Sequence, residues 1–130
     1  MKDILDIHIE ITDVAEVQGS DALVKMLAFT GRCAGEYFKG RVLPGGMDVQ
    51  TIRRGGTGTV SARYMLEGTD TEEKLCKIYV ENTGIIDENG NMLTTPKLVT
   101  NSEALGWLQQ EKLCCRFEMR GKEFHVILGV

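Results

Sequence analysis

Apolar and polar residues alternate along most of the chain. In the first stretch Leu5, Ile7, Ile9 and Ile11 are separated by Asp6, His8 and Glu10, the period of two that buries one face of a β-strand and wets the other. Strand-length runs follow at Leu23 to Phe29, Tyr37 to Leu43, Val49 to Arg53 and Thr59 to Leu66, where Val60, Ala62, Tyr64 and Leu66 share a side. Cys76, Ile78 and Val80 then alternate with Lys77, Tyr79 and Glu81. Leu113, Cys115, Phe117 and Met119 alternate with Cys114, Arg116 and Glu118, and a last strand runs from about Glu123 to Leu128.

Turn chemistry separates these runs: Pro44-Gly45-Gly46, Gly55-Gly56-Thr57-Gly58, Asp70 to Glu73, Glu88 to Asn91 and Gly121-Lys122. One helix interrupts them. Thr100 and Glu103 have the spacing of a capping box, and Ala104, Leu105 and Leu108 share a face, so a short helix is expected over residues 102–110. About eight antiparallel strands must hide their edges, and closure does so most completely. The expected fold is therefore all-β: one domain over residues 1–130, a meander β-barrel of about eight strands, with a two-sheet β-sandwich as the alternative.

Composition agrees. Fifteen glycines against two prolines in 130 residues suit many turns between short elements. The net charge of −4 argues against nonspecific binding to nucleic acid or an anionic membrane. The charge is uneven, with acids concentrated before residue 22 and Arg32, Lys39, Arg41, Arg53, Arg54 and Arg63 clustered after it; such a basic stretch could receive a small anion. Met1 leads directly into Lys2-Asp3, and no apolar run approaches 18 residues, which points to a soluble cytoplasmic protein. Cys33, Cys76, Cys114 and Cys115 include no C-x-x-C pair and read as buried reduced thiols.

Several motifs are excluded by their surroundings. Gly55 to Gly58 opens a strand, whereas a phosphate cradle must open a helix. Asp87, Asn89 and Asn91 imitate the start of a calcium loop, but Met92 and Leu98 occupy the positions that need Gly and a carboxylate. His8 and His125 lack a metal-ligand spacing and read as surface or rim residues, so no metal and no cofactor is expected. No G-x-S-x-G elbow is present. Trp107, in the expected helix, reads as a plug against a barrel end.

The run Gly40-Arg41-Val42-Leu43-Pro44-Gly45-Gly46-Met47-Asp48-Val49-Gln50 is followed in order by Ala62-Arg63-Tyr64, Val80-x-Asn82-x-Gly84, Thr94-Thr95-Pro96 and Trp107-Leu108. This succession resembles the bacterial family known as domain of unknown function 3237. The resemblance implies a small antiparallel barrel similar to calycin and allene oxide cyclase-like barrels, and brings no settled activity. Val49 stands where the family tends to carry Trp, and Leu93 where an arginine often precedes Thr-Thr-Pro.

The Pro-Gly-Gly turn fixes the direction of the next strand, in which Asp48 and Gln50 share a face. Turned inward, Asp48 needs a partner, because burying a charge alone is costly. Arg63 is the evident one, with Gln50, Tyr64 and Asn82 nearby and Arg41 as a second cation. Arg63 and Tyr64 are adjacent, so at most one enters the lumen unless a bulge intervenes. These residues give three readings. The first is a lumen that binds a small, partly apolar ligand with an anionic or carbonyl group. The second is a cofactor-independent isomerase, cyclase or lyase with Asp48 or Tyr64 as acid or base. The third is a structural or homo-oligomeric module with a filled core.

Overall fold

A computed structural model describes residues 1–130. Nine strands form one antiparallel sheet: β1 (Asp3–Gln18), β2 (Ala22–Cys33), β3 (Phe38–Val42), β4 (Met47–Arg53), β5 (Gly58–Asp70), β6 (Leu75–Ile86), β7 (Met92–Thr100), β8 (Cys114–Arg120) and β9 (Glu123–Gly129). The alternation read from the sequence produces this all-β architecture. β3 and β4 both lie between β2 and β5, antiparallel to each, one beyond the other along the same lane. The sheet thus has eight lanes, in the order β7, β6, β5, β3/β4, β2, β1, β9, β8.

Pro44-Gly45-Gly46 is consequently a break within one lane rather than a hairpin. Gly45 takes φ = +105°, a conformation open to glycine. The neighbouring lanes hold the break from both sides: Leu43 N–H donates to the Met65 carbonyl at 2.8 Å, and Phe29 N–H donates to the Gly46 carbonyl at 3.1 Å.

The sheet curls so that β7 and β8, its two ends, approach each other without a backbone ladder between them. β7 is absent from the sequence reading. Its residues Met-Leu-Thr-Thr-Pro-Lys-Leu-Val-Thr carry Pro96 in the middle, and proline marks a break in a central strand. β7 tolerates it because it is an end strand, bonded on one side only, to β6.

One end of the molecule is filled. Phe38, Leu66, Ile78, Leu105 and Leu108 are each 1% exposed or less and meet in a single core with Leu5, Ile7 and Val80. The expected helix is instead a 3-10 turn at Gly106–Gln110. Gly106 weakens an α-helix here, and the three-residue period of a 3-10 turn sets Leu105 and Leu108 on one face. Those leucines plug the end; Trp107 is 40% exposed. The capping box of Thr100 and Glu103 does not form, and the 3-10 turn has no side-chain cap; Ser102 instead holds the turn that leads into it. The Ser102 hydroxyl accepts the Leu105 N–H at 3.2 Å and donates to Asp70 Oδ2 at 2.7 Å. Asp70 Oδ1 also accepts the N–H groups of Glu72 and Lys74.

Candidate functional site

The opposite end is hollow. A cavity of about 250 Å³ opens there. Ile9 and Ile11 of β1, Leu27 and Phe29 of β2 and Val60 of β5 give it an apolar wall. Phe117 of β8 and Phe124 of β9, with rings stacked at 5.9 Å, face them with Met92 and Val126. Gly46 contributes to the shape from outside the lining: a Cβ there would come within 3.1 Å of the Phe29 ring.

The polar part of the lining is Asp48, Gln50, Tyr64, Asn82 and Thr94. Register explains the grouping. Asp48 lies opposite Ala62, which lies opposite Asn82, while Gln50 lies opposite Val60. Gln50 Nε2 donates to Asp48 Oδ2 at 3.0 Å, and Asn82 Nδ2 donates to Cys115 Sγ at 3.3 Å. Three buried oxygens have no partner in the protein: the Tyr64 hydroxyl, Asn82 Oδ1 and the Thr94 hydroxyl. Buried polar atoms are nearly always paired, so three unpaired ones around one cavity single it out as the candidate site. The Tyr64 ring is fixed edge-on against Phe29 at 5.4 Å.

Of the six residues expected at the site, Asp48, Gln50, Tyr64 and Asn82 meet on this cavity, and Arg41 and Arg63 do not. Tyr64 takes the inward position of the adjacent pair, so Arg63 points outside and pairs with Glu81 at 3.9 Å. Arg41 pairs with Glu67 at 3.4 Å, also outside. The Asp48–Arg63 ion pair is absent, and Gln50 takes its place as the partner of Asp48. The basic stretch does not converge on an anion site either, since Arg32 meets Glu10 and Glu123. Thr94 belongs to the Thr94-Thr95-Pro96 run, and the placement of β7 beside β6 brings it to the cavity.

Burial pushes the Asp48 carboxyl above the ordinary carboxylate range, and the Gln50 bond only partly opposes this. The folded state holds the proton more tightly than the unfolded chain, so ionised Asp48 costs stability at neutral pH and costs nothing once pH falls below the unfolded value of about 3.9. Asp48→Asn, which keeps an oxygen for Gln50, is therefore expected to raise Tm by a few degrees at pH 7 and leave it unchanged at pH 3. A melting series across that range checks this; a constant difference at every pH would contradict it. Burial likewise drives the Tyr64 hydroxyl far above its usual range.

The histidines are not surface residues. His8 and His125 face each other across β1 and β9, stack at 5.3 Å and are 9% and 8% exposed. They lie on the sheet face opposite the one to which Ile7, Ile9 and Val126 contribute. His125 Nδ1 meets Asp6 Oδ1 at 2.6 Å, and Asp6 also takes Arg120 at 2.7 Å. These contacts hold Asp6 below the ordinary range although burial pulls it upward. No group of three or more His, Cys, Asp or Glu is arranged to hold a metal ion. All four cysteines are free: Cys33 and Cys76 are buried as expected, but Cys114 is exposed and Cys115 half-buried. Val49 and Leu93, the two departures from the family pattern, alternate with cavity residues and lie outside the lining. Asp87, the false calcium ligand, accepts the N–H groups of Asn89 and Asn91 in a tight turn. No helix is long and apolar enough to cross a membrane.

An eight-lane antiparallel sheet, curled around a core at one end and a cavity at the other, defines a small β-barrel-like protein. The chain belongs to the family described as protein of unknown function DUF3237, whose model matches residues 2–93. A UPF0311 protein of Clostridium acetobutylicum is 37% identical over 70 residues, which span 54% of this chain and 40% of that relative. A solved structure of a protein of unknown function from the same organism superposes with a TM-score of 0.80 at 23% identity, covering 98% of this chain and 93% of the other. A β-barrel-like protein of Acinetobacter baumannii superposes at 0.76 with 19% identity, covering 98% and 92%. These structures share the fold.

Proposed function

We propose that the hollow end binds one small, largely apolar organic molecule whose polar head meets Asp48, Gln50, Tyr64, Asn82 and Thr94. The observation that carries this reading is the trio of unpartnered oxygens on an otherwise apolar wall. A cavity near 150 Å³ accepts benzene, so about 250 Å³ suits a one- or two-ring compound. The anionic head expected from the sequence is set aside, because Arg41 and Arg63 pair outside and a carboxylate head would sit against Asp48. A carbonyl head keeps two donors, the Tyr64 and Thr94 hydroxyls. The open cavity also weighs against a filled structural module.

2-Naphthol is a suitable first probe. At saturation it is expected to raise the Tm of the wild type by roughly 5 °C and to leave Ala62→Phe, whose new ring occupies the cavity between Asp48 and Asn82, unmoved. No shift in the wild type, or an equal shift in both proteins, would overturn the reading.

Catalysis is the second reading, favoured by the raised affinity of Asp48 for its proton. It narrows the base to Asp48, since Tyr64 is held too firmly protonated to act as one near neutral pH. A carbonyl compound that shifts the melting of both wild type and Asp48→Asn, but is converted only by the wild type, would establish it; conversion by both would remove it.

A further inference from the structure

The charge of the ligand's head can be argued from the same cavity, and this inference rests on the binding reading above. Asp48 is the only Asp, Glu, Lys, Arg or His in the lining. Its Oδ2 accepts from Gln50, which is a neutral donor and leaves the charge uncompensated. No cation is supplied from behind: Arg63 pairs with Glu81 and Arg41 with Glu67 on the outer surface. The remaining hydrogen-bonding balance leans the same way. The Gln50 and Asn82 amide nitrogens each already donate one bond within the protein, to Asp48 and Cys115, while Asn82 Oδ1 is buried without a donor. Asn82 is 4% exposed and Tyr64 5%, so neither oxygen can turn to bulk water. The Tyr64 and Thr94 hydroxyls can donate or accept, whereas Asn82 Oδ1 only accepts and needs a donor from the ligand.

The walls match. Phe29, Tyr64, Phe117 and Phe124 line the same cavity, and the electron-rich faces of aromatic rings attract a cation brought among them. Lys25 lies opposite Gln50 on the same sheet face but stays outside the lining and makes no ion pair with Asp48, so a carboxylate and aromatic rings in one cavity, with no basic residue in its wall, are a chemistry suited to an ammonium group.

We propose that the ligand is a primary or secondary amine on an apolar, ring-sized body, its ammonium paired with Asp48 and donating to Asn82 Oδ1. Such a ligand supplies the positive charge that the lining lacks and an N–H for Asn82 Oδ1. A neutral alcohol supplies only a donor, and a carboxylate supplies neither.

Three probes of similar size separate the possibilities: 2-phenylethylamine, 2-phenylethanol and 3-phenylpropanoate, titrated calorimetrically into the wild type and Asp48→Asn at pH 7. The amine is expected to bind the wild type most tightly, and Asp48→Asn to weaken it roughly tenfold to a hundredfold, the scale of a charge-assisted hydrogen bond. The alcohol's affinity should change little between the two proteins, which also shows that the variant is folded with its cavity intact. If the alcohol binds the wild type as well as or better than the amine, the amine assignment is wrong while the binding site stands. If the amine loses no affinity in Asp48→Asn, the assignment is equally wrong. If none of the three binds, and 2-naphthol does not either, the binding reading itself falls.

Discussion

Phe38→Ala is expected to cost about 3–5 kcal/mol and Phe117→Ala roughly 1–2 kcal/mol, although the same ring is removed in each. Phe38 is 1% exposed and lies at the filled end, its ring passing over Gly40, where an added Cβ would come within 2.8 Å of it. Nothing nearby can collapse into the space it leaves. Phe117 is half-buried on the wall of an existing cavity, so its loss widens an opening rather than creating a sealed void. Urea unfolding of the two variants measures the difference. Equal costs would mean that the hollow end contributes as much to stability as the filled one, and would weaken its assignment as a site.

Gly84→Ala should have the second large effect. In β6, Gly84 lies opposite Thr94 of β7, and a Cβ on it would fall 1.9 Å from the Leu93 carbonyl oxygen and 2.7 Å from Thr94 Cα. Those are backbone atoms, so the strand itself must move. Forcing extra volume into packed structure costs about 1–3 kcal/mol and at times more; a value near the top of that range is expected because no side chain can swing aside. β7 is an end strand and can retreat, taking the Thr94 hydroxyl away from the cavity. The variant should therefore lose Tm and also the additional shift produced by 2-naphthol. A variant that melts as the wild type does would show that β7 packs less closely against β6 than described.

The period of two made the strands legible, and with them the side of β5 that Tyr64 shares with Val60, Ala62 and Leu66. The inward direction of Asp48 and Gln50 was left open, because Met47 and Val49 offer an apolar face on the other side of β4. Once Tyr64 turns inward, Arg63 must turn outward, so the limit on that pair was visible in the chain alone. Three features were not. β7 was hidden because Pro96 breaks a strand unless one side is unpaired, and which strand ends the sheet is a property of the whole topology. Thr94 was hidden with it. The burial of His8 and His125 depends on β1 pairing with β9 in a register that sets them face to face across more than a hundred residues of sequence. Local pattern assigns each histidine to the polar face and cannot know that a second ring will cover it. The short helix failed for a local reason: Gly106 and the Leu105–Leu108 spacing fit a 3-10 turn as well as the sequence pattern fits an α-helix.

Cys114 and Cys115 are neighbours in β8 and point to opposite faces. Cys114 is exposed, whereas Cys115 turns inward and receives the Asn82 amide, with burial pushing its thiol above the usual range. One strand thus carries two otherwise identical reactive groups in different solvents, one in bulk water and one behind the polar wall of the cavity. On the binding proposed above, an occupant that draws on Asn82 would alter the chemistry of the inner thiol and leave the outer one as it was, and the ratio of the two thiols' reactivities would then report occupancy against an internal reference.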